Sequence, residues 1–234
     1  MKIENAALTF VSGIDIGFTS TLYHAIKERV SRLQALFPGR KFKFVGNPFK
    51  GWKHPLLKSA EHRRIDARAK LFRGWDPFAQ HLSEIATAIE DGYTIIGLRG
   101  GFDLLSNATA CLRVDARDDE EWKKILQRNV WAEDMHHDWI VPGVVKTELE
   151  TLPNYQLVCA DPEEVKDDWL RESPALKDKV GRKEICTFIR QESELQKRYF
   201  DPKHGQREPI RIKASPSIED MFEQALKGFA SIYL

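Results

Sequence analysis

An α/β fold, with a parallel central sheet of about five strands covered by helices on both faces, is what this sequence predicts. Three observations lead there. Short apolar, strand-like runs alternate with longer helix-like stretches along the chain. The first of these runs leads through a glycine-containing turn, Phe10-Val11-Ser12-Gly13-Ile14-Asp15-Ile16-Gly17-Phe18-Thr19-Ser20-Thr21, straight into a helical stretch. The length of 234 residues suits one domain with a sizeable core.

The elements follow in order. Residues 6–11 form the first strand candidate, and residues 20–36 a helix that Pro38-Gly39 ends. Lys41, Phe42, Lys43 and Phe44 alternate as a strand over 41–45, which runs into the loop from Gly46-Asn47-Pro48 to Gly51. Residues 63–72 and 77–90 read as helices separated by Gly74-Trp75-Asp76-Pro77. Asp91-Gly92 then turns into a short buried strand over 93–98. Residues 156–160 give another strand, closed by Asp161-Pro162-Glu163-Glu164, whose acids suit a helix start. A long amphipathic helix over 183–200, a strand over 210–213 and a helix over 217–232 complete the pattern. The segment 115–153, rich in Trp and acids, reads as an elaboration on a single domain spanning 1–234.

The net charge of +1 carries no signature of a dedicated nucleic-acid binder. Cys111, Cys159 and Cys186 lie far apart, without Cys-x-x-Cys spacing, and read as reduced core residues. The start Met1-Lys2-Ile3-Glu4-Asn5 lacks a secretory apolar region, and no apolar run approaches the roughly 20 residues that span a bilayer. A soluble cytoplasmic chain with no membrane partner is expected.

The turn after the first strand carries the chemistry. A working phosphate loop cradles phosphates with backbone N–H groups, reaches their oxygens with a lysine and holds Mg²⁺ with a Ser/Thr hydroxyl. Here Thr19 stands in the place of the lysine, ahead of Ser20 and Thr21. Glycines and a hydroxyl at a strand-to-helix turn also describe an ordinary capped helix. His136-His137 with Glu133, Asp134 and Asp138 invites a metal reading, but adjacent side chains point different ways, so no metal site is expected. Trp122, Trp131 and Trp139 are expected to pack their segment onto the core.

At this point the chain resembles the thymidylate kinase family, over most of its length. The family's Gly-Ile-Asp-Gly-x-Gly-Lys-Ser-Thr is similar to Gly13-Ile14-Asp15-Ile16-Gly17-Phe18-Thr19-Ser20-Thr21. Leu71-Phe72 with Gln80-His81, Leu98-Arg99 followed by Asp103-Leu104-Leu105-Ser106-Asn107-Ala108, and Asp161-Pro162-Glu163 match further family segments. So do Arg182, Glu184, Phe188 and Arg198-Tyr199 around a lid, and Ile212 to Glu219 with Ala214-Ser215. The departures are Thr19 for the lysine, Leu98 for the strand-end Asp, and Gly46-Asn47-Pro48 for the Arg-Glu-Pro loop.

The resemblance implies a P-loop kinase-like three-layer sandwich and a transferase that moves the γ-phosphoryl of ATP, with Mg²⁺, to a dTMP-like or modified pyrimidine nucleoside monophosphate. It implies phosphate and nucleotide binding by Gly13, Gly17, Thr19, Ser20, Thr21, Ala214 and Ser215. It implies substrate contacts from Phe72, Asn47, Arg99 and Ser106, and catalytic roles for Arg99, Arg182 and Asp15. Phe72 at helical spacing also reads as core. Arg99, at a strand's carboxyl end, is where α/β sheets place ligands, so it is expected to face ligand and add little to packing, a surface ion pair being the other reading. The segment 171–183, with its Lys177 to Lys183 charge run, reads as a mobile lid or as a solvated surface, with Arg171 a candidate cation for transfer beside Arg99 and Arg182, and Lys50, Lys53 and His54 as reserve cations or solvated ones.

A homodimer is implied as well. Phe78, Leu82, Ile85, Ile89, Leu104 and Leu105 exceed what one core face obviously needs. The competing reading is a catalytically inactive relative that binds nucleotide or regulates a partner, because charge stabilisation is most of what an enzyme supplies to phosphoryl transfer.

Overall fold

The computed structural model describes residues 7–13, 18–48, 55–57, 59, 61–62, 75–135, 154–158, 182–199, 209–213, 215 and 217–233. Among the described residues five strands lie in one sheet in the order β2-β3-β1-β4-β5: β1 Ala7–Ser12, β2 Lys41–Val45, β3 Tyr93–Leu98, β4 Asn154–Val158 and β5 Ile210–Arg211. Every pairing is parallel. The expected parallel α/β class is what the chain forms. All six residues of the central strand β1 are buried, as a parallel strand covered on both faces requires.

The helices among the described residues are α1 Thr19–Glu28, α2 Val30–Leu36, α3 Trp75–Glu90, α4 Gly101–Asp115, α5 Asp119–Met135, α6 Arg182–Tyr199 and α7 Ile218–Tyr233. The helix expected over 20–36 is two helices, divided at Arg29, whose guanidinium lies 4.8 Å from the Phe222 ring centroid and pairs with Glu219. Helix α3 begins two residues earlier than its Pro77 suggests. A proline in the first helical turn lacks only an N–H that has no partner within the helix. The strand expected over 156–160 lies instead at Asn154–Val158, in register with Leu8 to Ser12 of β1. Within the segment 115–153, residues 119–135 form the regular helix α5, with Asp119, Glu120 and Glu121 in its first turn to complement the helix dipole.

Alternation along β1 assigns the two faces of the sheet. Ala7 and Val11 join Ile96 and Leu98 of β3 against Leu22, Tyr23 and Ile26 of α1 and Phe222, Ala225 and Phe229 of α7. Leu8 and Phe10 join Ile95 and Val45 against Ile85, Ala88 and Ile89 of α3. Two helical layers therefore sandwich the sheet. On the edge strand β2, exposed Lys41 and Lys43 alternate with half-buried Phe42 and Phe44, and such lysines discourage pairing with another chain. Helix α4 packs along α6 in a separate apolar cluster that includes Leu105, Ala108, Cys111, Ile185, Phe188 and Ile189. Trp122 packs on Leu112 beneath the Arg113 guanidinium, the packing role expected of it. Cys111 and Cys186 are both free thiols.

The middle of the sheet depends on a missing side chain. Gly97 pairs with Phe10 in the β1–β3 register, and a Cβ at residue 97 would stand 2.7 Å from Cδ1 of that ring. Phe10 and Ile95 are buried, so the ring has little room to retreat. Gly97→Ala is expected to lower stability by about 1–3 kcal/mol through overpacking. In urea titrations this should read as a lower midpoint at unchanged slope.

Candidate functional site

Strands β1 and β3 are neighbours whose chain connections run in opposite directions, β1 onward to β2 and β3 onward to β4. Their following helices leave on different faces. Helix α1 covers the Ala7/Val11 face. Ser12, which alternation places with Leu8 and Phe10, donates its hydroxyl proton to Asp103 on α4 at 2.6 Å. Open α/β sheets place ligands outside the carboxyl ends of the strands at such a switch point.

The carboxyl ends are tied by one network. The Arg99 amide extends the ladder to the Val11 carbonyl at 3.1 Å. Arg99 Nη1 donates to the Gly13 carbonyl and reaches Asp103 Oδ1 at 3.4 Å. Asp103 also accepts from the Gly100 amide at 2.7 Å and the Gly13 amide at 3.2 Å. The bond from the Gly100 N-cap amide is half of a capping box, with Asp103 at the third helical position of α4. Four donor groups thus fill the lone-pair directions of one carboxylate. Burial pushes the Asp103 carboxyl above the usual carboxylate range, and Arg99, the Ser12 hydroxyl and the Gly100 and Gly13 amides pull it back. Donors on every side suit the charged form.

Arg99 is therefore not the outward-facing cation expected from the sequence. Its side chain is 12% exposed and that of Asp103 is 2% exposed, so the guanidinium is part of the packing at the sheet's rim. The reason is local. Asp103, one helical turn beyond Arg99, sits in the first turn of α4 and attracts it.

Backbone strain concentrates at the same place. Among the described residues, two non-glycine residues have left-handed φ, Phe18 at 55° and Arg99 at 68°. Phe18 is the N-cap of α1 and makes no side-chain cap hydrogen bond, so among the described residues the first amides of α1 have no capping side chain. Its ring packs against both the sheet cluster and the α4–α6 cluster, and that burial offsets a left-handed cost of roughly 1–2 kcal/mol. Thr19 follows as the first residue of α1, is 2% exposed, and its Oγ1 has no hydrogen-bond partner among the described residues. Ser20 and Thr21 are exposed in the same turn.

Of the other expected site residues, Ser106 is fully buried, donates to the Asp103 carbonyl at 3.2 Å and lies 3.5 Å from Gln196 Nε2 of α6. Asn47 is half-buried just beyond β2. Ser215 Oγ accepts from the Ser217 amide at 3.1 Å, a local turn that leads into α7. Arg182 is the first residue of α6, and its side chain is outside the described residues. Asp15, Gly17, Phe72, Ala214, Arg171, the reserve cations Lys50, Lys53 and His54, residues 171–181 of the lid-like segment and His136-His137 also lie outside them.

Ile85, Ile89 and Leu105, offered above as a dimer surface, are 1%, 3% and 0% exposed within the chain, so they belong to its own core. Leu82 is partly buried against the same cluster as Ile85 and Ile89. Among the described residues no group of three or more His, Cys, Asp or Glu is placed to hold a metal ion, and no helix is long and apolar enough to cross a membrane.

The α4–α6 contact is unusual in its polarity. The inward face of α6 begins with Ile185, Phe188 and Ile189 and continues with buried Glu192, Ser193 and Gln196. Asn107 Nδ2 donates to Glu192 Oε1 at 3.4 Å, while Ser193 Oγ, Gln196 Oε1 and Thr109 Oγ1 have no partner among the described residues. Each such group costs about 1–3 kcal/mol unless water meets it. The polar part of this seam begins at Ser106, one turn beyond Asp103.

His81 continues the buried stripe of α3 toward the same edge of the sheet. Burial pushes its imidazole below the ordinary value of 6.5, and Glu84 pulls it back up. Its folded-state value is the lower one, so its contribution to stability is present above pH 6.5 and is lost as pH falls below that. His81→Gln is expected to flatten the fall of Tm on that acid side, a slope of at most about 1.4 kcal/mol per pH unit for one proton. Melting curves recorded between neutral and acid pH check it.

Sequence reasoning singled out Gly13, Thr19 and Arg99 but gave no role to Ser12, Phe18 or Asp103. The signal for Asp103 was present in Gly100-Gly101-Phe102-Asp103, an acid three residues after a glycine at a strand-to-helix turn. Compared with known proteins, the chain matches no protein-family model and no curated protein sequence.

Proposed function

We propose that this chain is a divergent nucleoside-monophosphate kinase-like protein that binds the phosphates of a nucleotide at the β1–α1 turn. The observation that carries the reading is that, among the described residues, the two left-handed non-glycine residues lie at the two ends of this turn, Arg99 bonded to Gly13 where β1 ends and Phe18 as the N-cap of α1, which makes no side-chain cap hydrogen bond. Strain of this kind gathers at ligand sites, and uncapped helix amides with a dipole behind them attract anions. Position 18 is where the family pattern has glycine, the residue best suited to positive φ. The five-stranded parallel sheet with helices on both faces agrees with a P-loop kinase-like sandwich.

In the kinase reading the acceptor is a dTMP-like or modified pyrimidine deoxynucleotide. Mg²⁺ arrives with ATP, and the exposed Ser20 or Thr21 hydroxyl is the ligand the chain offers it. Asp103 is not, because its lone pairs are already taken. The inactive nucleotide-binding reading is favoured by one observation, the engagement of Arg99 with Gly13 and Asp103 where transfer would call on an available cation. One screen separates the two. Purified protein is given Mg-ATP with each nucleoside monophosphate, and ADP formation and Tm are both followed. ADP formed with a pyrimidine deoxynucleotide supports the kinase. A raised Tm with ATP and no ADP supports the binder. Neither signal rejects nucleotide binding altogether. A homodimer would have to use surface outside Ile85, Ile89 and Leu105, and sedimentation velocity at micromolar concentration tests for it.

A further inference from the structure

We infer that Asp103 is the positioning residue of the phosphate turn, fixing the exit of β1 at Gly13 and the Arg99 guanidinium beside it so that the amides at the start of α1 can meet an anion. The inference rests on the phosphate-binding reading above and adds to it the residue that organises the site from a different strand and helix.

The geometry is specific. Gly13 is the first residue after β1, and Asp103 takes its amide while Arg99 takes its carbonyl, so both faces of one peptide residue are fixed by the β3–α4 connection. The same carboxylate fixes the N-cap amide of α4 through Gly100 and the end of β1 through Ser12. The shortest of these contacts, 2.6 Å from Ser12, is in the range of a hydroxyl bonded to a charged acceptor. An arginine on a left-handed backbone at a sheet's rim would otherwise extend into water. Here it is turned inward, and among the described residues the anionic group it pairs with is Asp103.

With Thr at position 19 the turn has no cation of its own, and Arg99, paired with Asp103, brings one to Gly13 from the neighbouring strand. A cap for α4 would need the bond to Gly100 alone. The bonds to Ser12, Gly13 and Arg99 all point toward the turn.

Isothermal titration of Mg-ATP into the wild-type protein and into Ser12→Ala, Asp103→Asn, Arg99→Lys and the Ser12→Ala/Arg99→Lys pair tests this. Arg99→Lys keeps the charge but not the planar fork. Asp103→Asn and Arg99→Lys are each expected to weaken ATP about tenfold, equivalent to about 1.4 kcal/mol. Ser12→Ala should weaken it roughly threefold in the wild type and add nothing in the Arg99→Lys background, since contacts in one network are not additive. If Asp103→Asn does not fold, Ser12→Ala and the double variant carry the test.

Wild-type affinity in the folded Ser12→Ala and Asp103→Asn proteins, or a Ser12→Ala effect that simply adds to that of Arg99→Lys, would reduce Asp103 to a helix cap and overturn the inference while leaving phosphate binding intact. No binding of ATP by the wild type would instead remove the phosphate-binding reading on which it stands.

Discussion

Arg99→Ala is expected to lower folding stability by about 3 kcal/mol, the lower end of what breaking a buried ion pair costs. The partner left behind is Asp103, 2% exposed, whose charge loses its one cationic neighbour among the described residues. The lower end applies because Ser12, Gly13 and Gly100 still donate to that carboxylate. The Gly13 carbonyl also loses its donor, which frees the exit of the central strand. The effect has a pH signature. Without Arg99 the Asp103 carboxyl rises further above its unfolded value, so the folded variant takes up a proton earlier as pH falls. The stability gap between variant and wild type should therefore narrow from neutral pH toward acid. Chemical denaturation at several pH values measures it. A variant as stable as wild type would mean that the guanidinium sits in solvent.

Thr19→Lys is expected to act in opposite directions with and without nucleotide. In the free protein the new ammonium starts from a site that is 2% exposed, beside the positive end of α1. It must extend toward water at a cost, and Tm should fall. With Mg-ATP bound, the same ammonium gains a phosphate partner worth about 1.5–3 kcal/mol for a charged hydrogen bond. That corresponds to roughly tenfold to hundredfold tighter binding. The rise in Tm on adding ATP should exceed the wild-type rise. A folded variant with unchanged ATP affinity would argue that phosphates do not visit this turn.

The fold was legible where the pattern is local and repeated. β1 and β3 are short buried runs between turns, and their alternate residues pack on opposite faces as a period of two requires. The break at Arg29 was not legible, because the groups that surround it, Phe222 and Glu219, belong to a helix that begins almost 190 residues later in the chain. At the site, the turn and Arg99 stood out as residue types at expected places, while the direction of the Arg99 side chain did not. That direction depends on Asp103, Ser12 and Gly13 meeting across two strands and a helix, and a sequence states spacing along the chain rather than partners across it. Ile85, Ile89 and Leu105 show the same limit. They look surplus until the sheet and α6 are there to cover them.

Phosphate binding at the start of α1 is most directly tested by backbone amide shifts on titration with Mg-ATP. The amides of Gly13, Thr19, Ser20 and Thr21 should shift together and saturably. Those at the start of α7 should not, since the Ser217 hydroxyl already accepts from the Asp220 amide at 3.3 Å. Saturating ATP with no movement at Gly13 or the α1 amides, or with shifts confined to other parts of the chain, would contradict it.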